Sequence, residues 1–269
     1  MKGAGLPDDT ARLRKLYLDT MERILRNSVY RDSSTGMAGR EVPYDEVARR
    51  EGRVWPTRAF TMIGEYRLRQ LRACVEDVLR DGVPGDLIEC GVWRGGAAIM
   101  MRAVLEAYGD RHRRVWLADS FRGLPPPNAE RYPADAGLDL SGIPALAVPA
   151  DEVRENFRAL DLLDERVRFA EGWFSETLPH LEASAFAVIR LDGDLYESTM
   201  DALEALYPRL SPGGYAIVDD YGCIPACRAA VEDYRDRHGI REPIAEIDWT
   251  GVFWRKAHGA GARTAPPGT

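Results

Sequence analysis

Soft-metal chemistry finds little to work with in this chain. Its 269 residues include four histidines and four cysteines, and Cys74, Cys90, Cys223 and Cys227 have no framework spacing. Cys223-x-x-x-Cys227 lacks a second Cys/His pair that would complete a zinc site, so both read as buried or half-buried thiols. Long apolar runs are absent too, and no signal-peptide pattern appears, which excludes a membrane-spanning segment and makes a reducing cytoplasm the expected compartment. Positive charge is in deficit: 43 acidic against 36 basic residues leave a net charge of -7, which argues against nucleic acid or an anionic membrane as partner. What is present is ordinary for a globular protein, with 45% apolar and 29% charged residues, enough for one large α/β domain or two small ones.

The polar, Gly- and Pro-containing residues 1–10 and the Gly/Ala/Pro-rich residues 257–269 read as disordered tails. Residues 11–63 read as an N-terminal helix followed by a long segment of the kind that serves as a lid, a binding loop or a disordered stretch. Leu13, Leu16, Leu18, Met21 and Ile24 approximate helical spacing, and the polar stretch from Asn27 to Arg53 is too long for a simple connection. Residues 64–256 carry a larger domain, opened by a helix whose face is Leu68, Leu71, Val75 and Leu79 and which Gly82 stops. Short apolar strands then alternate with helices. The expected strands are 86–90, 114–118, 166–170, 186–191 and 215–218; the helices are 97–108, 152–160 with Asp151 as N-cap, 197–206 and 225–234. This βαβ grammar implies a parallel sheet with helices on both faces. At the end, Ile244–Trp249 and Val252–Arg255 flank Thr250-Gly251, the pattern of an antiparallel hairpin closing the sheet.

Two constellations carry chemistry. Glu89-Cys-Gly91-Val-Trp-Arg-Gly95-Gly96 occupies the first strand-to-helix turn, where open parallel sheets bind ligands. It has neither the dinucleotide spacing nor the Lys-Ser/Thr of a P-loop. Asp119 ends the next strand, where an acid grips ribose hydroxyls. Together they suit a nucleoside with a cationic or zwitterionic end, a description that S-adenosylmethionine meets. The second constellation is Asp192-Gly-Asp194 and Asp219-Asp220, at the ends of two apolar runs. Asp192 and Asp194 face one side if extended geometry continues through Gly193, and Asp219 and Asp220 converge if their strand frays. Four acids on one sheet edge repel one another unless a divalent cation or a proton takes up the charge. Oxygen donors alone suit Mg²⁺, Mn²⁺ or Ca²⁺. The plain alternative makes Asp220 a turn cap and Asp194 the cap of the helix near Glu197. Asp-x-Asp also serves metal-dependent glycosyltransferases and a family of phosphohydrolases, but here it comes late, after the glycine turn. A non-catalytic S-adenosylmethionine-binding regulator would not need the second acidic cluster.

With these residues assembled, the chain resembles the macrocin O-methyltransferase family, metal-dependent enzymes that methylate sugar hydroxyls on antibiotics. The resemblance rests on Thr61-Met-Ile-Gly64, the Glu89 turn, Asp119-Ser-Phe-Arg-Gly-Leu-Pro125, Glu171-Gly-Trp-Phe174, Leu191-Asp-Gly-Asp-Leu-Tyr-Glu-Ser-Thr199, Val218-Asp-Asp-Tyr-Gly222, Cys227-Arg228 and Trp249-x-Gly-Val-Phe-Trp-Arg-Lys256. It implies a Rossmann-like class I methyltransferase fold with a mostly parallel seven-stranded sheet. It implies that Glu89 and Gly91 form the cofactor turn, Asp119 and Ser120 the ribose side, Gly172 and Trp173 the adenine edge, and Thr61, Met62 and Gly64 the methionine end. It further implies Asp192, Asp219 and Asp220 as ligands of Mg²⁺ (or Mn²⁺), Asp194 as general base, residues 27–53 as a lid, a small-molecule glycoside as acceptor, and a homo-oligomer. Catechol-type O-methyltransferases are the nearest rival, but their site typically includes an Asn and a Lys, whereas this chain has Asp219-Asp220 and no Lys immediately before Asp192.

Overall fold

The computed structural model describes residues 9–35 and 39–257. The expected tails therefore lie outside the described residues, save Asp9, Thr10 and Ala257. The N-terminal region runs α1 (Thr10–Leu25), β1 (Ser34–Thr35), α2 (Glu46–Glu51) and β2 (Trp55–Pro56). The larger region runs α3 (Gly64–Arg80), β3 (Asp86–Cys90), α4 (Gly96–Tyr108), β4 (Val115–Asp119), α5 (Ala150–Arg158), β5 (Val167–Glu171), α6 (Phe174–Thr177), β6 (Phe186–Leu191), α7 (Tyr196–Leu206), β7 (Leu210–Val218), α8 (Pro225–Arg237), β8 (Ala245–Glu246) and β9 (Val252–Arg255).

Seven strands form one sheet in the order β5-β4-β3-β6-β7-β9-β8, parallel except for β9, which is antiparallel to both its neighbours. Side-chain alternation divides the sheet between two cores. Leu87 and Val188 join Leu68, Leu71 and Val104 of α3 and α4, while Ile88, Ile189 and Leu191 join Leu203 and Val231 of α7 and α8. Glu89 and Arg190 follow the parity of Leu87 and Val188, which aims both toward α3 and α4. Chain order reverses between β3 and β6, so a crevice opens beyond their carboxyl ends.

Two local expectations need correction. Helix α5 starts at Ala150 after an extended Pro149, which leaves Asp151 in the first turn rather than at the cap. The terminal strands β8 and β9 do pair antiparallel, but their connection is longer than Thr250-Gly251: Asp248 Oδ1 accepts from the amides of Thr250 (3.0 Å) and Gly251 (2.8 Å), and β9 inserts between β7 and β8. The stretch 27–53, expected to be more than a simple connection, is tied by a buried network. Buried Arg49 donates to the Asp32 carboxylate at 2.7 Å, to the Arg26 carbonyl at 2.9 Å and to Ser34 Oγ at 2.9 Å. Asp32 in turn accepts from the Arg58 amide at 2.6 Å. Residues 36–38 lie outside the description. Among the described residues, no helix is long and apolar enough to cross a membrane.

Helix α7 begins without a cap from its own strand end. Asp135, fully buried in the long segment after β4, accepts from the amides of Tyr196 (2.6 Å) and Glu197 (3.2 Å) instead. Asp135→Ala is expected to lower stability by about 1–2 kcal/mol, measured by urea denaturation, with Asp135→Asn recovering part of the loss. An unchanged midpoint would deny the remote cap.

Candidate active site

The turn after β3 is set by close backbone approach. Gly91 has φ +82, and a Cβ there would lie 1.8 Å from the Asp192 carbonyl oxygen, so the glycine brings the two motifs into contact. Its neighbour Val92 donates its amide to Asp119 Oδ2 at 2.7 Å, and Phe121 donates to Asp119 Oδ1 at 2.7 Å. Asp119 thereby fastens the turn to the loop after β4. Glu89 accepts from the Ala98 amide (2.8 Å) in the first turn of α4 and from Arg190 Nη1 (2.8 Å). Burial nevertheless pushes its carboxyl up to about 8, with Arg190 opposing the rise.

Arg190 is the residue that sequence reasoning missed. It is 1% exposed, and besides Glu89 it donates Nη2 to Asp192 Oδ2 (2.9 Å) and to Asp219 Oδ1 (2.6 Å). The available signal was a lone cation inside an otherwise apolar run, three residues short of which the segment reads Ala-Val-Ile. Asp219 Oδ2 bonds Arg67 Nη1 of α3. Burial would raise the Asp219 carboxyl, but these two guanidiniums hold it below the usual carboxylate range.

Asp194 does not converge with Asp192 by strand alternation. Strand β6 stops at Leu191, and Asp194 sits in the left-handed region at φ 57. That turn places carboxylate oxygens of Asp192, Asp194 and Asp220 within 4.8 Å of one another. Neither Asp194 nor Asp220 is spent as a cap: Asp135 serves α7, and Asp220 Oδ2 is buried without a hydrogen-bond partner. A buried, unpaired carboxylate oxygen beside two further acids fits a hard cation. Without one, protons take up the charge. Burial, then the Asp192 and Asp219 charges, push Asp194 up to about 7, and burial with Asp194 and Asp192 raises Asp220 well above its ordinary value. Asp219 stands outside this trio, since both its oxygens face guanidiniums. This differs from the ligand set implied by the resemblance.

A cavity of about 510 Å³ joins the two constellations, lined by Glu89, Gly91 and Asp119 on one side and by Asp192, Asp194, Asp219 and Asp220 on the other. Thr61 and Met62 also line it. An adjoining pocket of about 230 Å³ shares Gly91, Asp119, Asp192 and Asp194 and is bounded by Ser120, Gly172 and Trp173. Gly64 lines neither pocket. It has φ +74, and a Cβ would lie 2.5 Å from the Gly52 amide nitrogen, so it serves the crossing of α3 with the end of α2 rather than a ligand. Gly95 and Gly96 likewise pack against Val153 and Phe60, not against the cavity. Cys227 is buried as expected, whereas Cys223 is exposed on the cavity rim.

A sheet of this order, with its single inserted antiparallel strand and a pocket at the switch point, defines a class I methyltransferase. The family model of the Macrocin-O-methyltransferase (TylF) matches residues 14–256. The chain belongs to that family. It is 55% identical over 259 residues to the 8-demethyl-8-(2,3-dimethoxy-alpha-L-rhamnosyl)-tetracenomycin-C 4'-O-methyltransferase of Streptomyces olivaceus, covering 95% of this chain and 98% of the relative. It is 51% identical over 248 residues to the mycinamicin III 3''-O-methyltransferase of Micromonospora griseorubida, covering 90% and 97%. Among solved structures, the O-methyltransferase NovP superimposes with a TM-score of 0.87 at 49% identity, over 91% of this chain and 100% of that one. A calicheamicin methyltransferase at 24% identity and a TM-score of 0.59, over 70% of this chain and 78% of that one, shares the fold.

Proposed function

We propose that this protein transfers the methyl group of S-adenosylmethionine to a hydroxyl of a sugar attached to a natural product, with Mg²⁺ or Mn²⁺ held by Asp192 and Asp220, and by Asp219 through the oxygen that bonds Arg67 when the cation is absent. The observation that carries this reading is the buried Asp220 Oδ2, partnerless beside Asp192 and Asp194, in the same cavity as the Gly91–Asp119 turn. The names of the relatives, one a methyltransferase of a rhamnosyl-tetracenomycin and one of mycinamicin III, support the acceptor class. Charge supports the ligands. Glu89 and the four aspartates outnumber the two guanidiniums that reach this cluster, Arg67 and Arg190, and a divalent cation offsets part of that excess.

A sugar alcohol loses its proton only far above neutral pH, so it is a poor nucleophile. When bound, the cation supplies Lewis acidity that lowers the pKa of the acceptor hydroxyl. Asp194 lines the cavity and takes that proton on its carboxylate. Glu89 and Asp119 hold the cofactor turn in register with Asp192, and that register aligns acceptor oxygen, methyl carbon and sulfur. Such alignment is worth on the order of 7–11 kcal/mol in favourable model systems.

Labelled S-adenosylmethionine offered with a glycoside and with a catechol, each with and without EDTA, tests the proposal. The glycoside is expected to take up label, EDTA to reduce the rate at least ~100-fold, and added Mg²⁺ to restore it. Turnover indifferent to EDTA, or preference for the catechol, would sink it. Calorimetry that shows UDP-sugar binding without S-adenosylmethionine binding would return the site to a glycosyltransferase.

A further inference from the structure

Arg67 belongs to none of the motifs, yet its guanidinium reaches three separate parts of the chain. It stands on α3 with its side chain 7% exposed. Nη1 bonds Asp219 Oδ2, Nε donates to Asp248 Oδ2 in the loop before β9 at 3.0 Å, and Nη2 donates to the Gly52 carbonyl after α2 at 3.2 Å. The other oxygen of Asp219 accepts from Arg190. Each oxygen of Asp219 therefore bonds a guanidinium, while Oδ2 of the adjacent Asp220 is buried without a hydrogen-bond partner. This asymmetry singles out one oxygen. A cation that comes to Asp219 Oδ2 meets the positive charge of Arg67 already bonded to that oxygen.

We propose that Arg67 is a positioning residue that competes with a divalent cation for Asp219 Oδ2 and holds that carboxylate oriented until the cation arrives. The inference rests on the cation-dependent reading given above. The exchange is feasible because Arg67 keeps Asp248 and the Gly52 carbonyl after releasing Asp219, so no buried guanidinium is left bare. Lysine would not do this, since a single ammonium lacks the planar fork that spans all three acceptors. The same geometry sets the sign of the effect. Arg67 stabilises the empty site and opposes the filled one, so its removal tightens cation binding.

The experiment is calorimetric titration of MnCl₂ into the full-length, cofactor-free protein, comparing wild type, Arg67→Gln, Asp219→Asn and the double variant. Arg67→Gln is expected to bind Mn²⁺ about tenfold tighter, as removal of a competing charge predicts. In the Asp219→Asn background the same substitution is expected to change the affinity less than about twofold, because the competition acts through Asp219. Wild-type binding with no gain in Arg67→Gln overturns this inference alone, as does a gain that persists without Asp219, which marks a general field effect. Absence of binding in every variant overturns this inference and the proposed cation site together. If Arg67→Gln does not fold, Arg67→Lys is read by the same criteria, with a smaller gain of the same sign expected.

Discussion

Arg190→Ala is expected to lower the folding free energy by about 3–5 kcal/mol at pH 8, the range measured when one partner of a buried ion pair is removed. Arg190 is 1% exposed and bonds three carboxylates, Glu89, Asp192 and Asp219, from the ends of three adjacent strands. Alanine leaves their charges facing one another in a poorly solvated space. A domain of this size has a total stability of only about 5–15 kcal/mol, so the loss is visible in any urea titration. Acid should soften it. In the wild type the guanidiniums hold the Asp219 carboxyl down, a contribution fully present above the unfolded carboxylate pKa and lost as pH falls toward the depressed value. In the variant the three acids lose this support and protonate more readily, so the gap between variant and wild type is expected to narrow between pH 8 and pH 5. Arg190→Met fills the volume but leaves the same acids unpaired, and it should behave like alanine. A midpoint within 0.5 kcal/mol of wild type at pH 8 would mean that the three acids are not held together by this residue.

The contrast between Arg190 and its strand shows what local pattern carries and what it does not. Apolar runs bounded by turn residues located β6 to the residue, Phe186–Leu191, and placed both Asp pairs at strand ends. The position of the glycine turn and of Asp119 followed from the same grammar, because a parallel sheet delivers successive strand ends to one edge. Partner choice is another matter. Glu89 and Arg190 are 101 residues apart, and Asp135 and Tyr196 are 61 apart. Which acid caps a helix, and which is freed for a site, depends on a loop with no periodicity of its own. Gly64 shows a related limit: glycine beside a ligand motif can answer to backbone crossing as well as to ligand approach, and its close neighbour is Gly52, outside the motif. The segment 27–53 was legible as too long for a simple connection, but not the buried Arg49–Asp32 pair within it, whose partners stand seventeen residues apart.

The second large effect is expected at Asp194, and it pairs lost function with gained stability. Asp194→Asn should reduce methyl transfer by about 10²–10⁴-fold, the usual contribution of a positioned base. Asparagine keeps the shape and tolerates the left-handed backbone at φ 57, so the loss is not one of folding. The electrostatics point the other way for stability. Burial, then Asp192 and Asp219, raise the folded pKa of Asp194 to about 7, above its ordinary 3.8. A carboxyl raised on folding binds more protons in the native state than in the unfolded one, so its contribution falls as pH rises from about 4 to about 7 and is at its most unfavourable beyond. Asparagine removes that penalty. Without cofactor or divalent cation, Asp194→Asn should melt above the wild type at pH 8 and close to it at pH 4. The difference at pH 8 should shrink when Mg²⁺ is added, since a cation among these acids favours the ionised form. The rate of the wild type supplies an independent check. A base must be ionised to work, so turnover should fall on the acid side, with the limb moving to lower pH as the Mg²⁺ concentration is raised. In Asp194→Asn that limb should be absent from the residual rate. Activity within tenfold of wild type, or an acid limb unchanged in the variant, would move the proton acceptor to another of the four acids, and Asp220, with its unpaired Oδ2, is the next to replace.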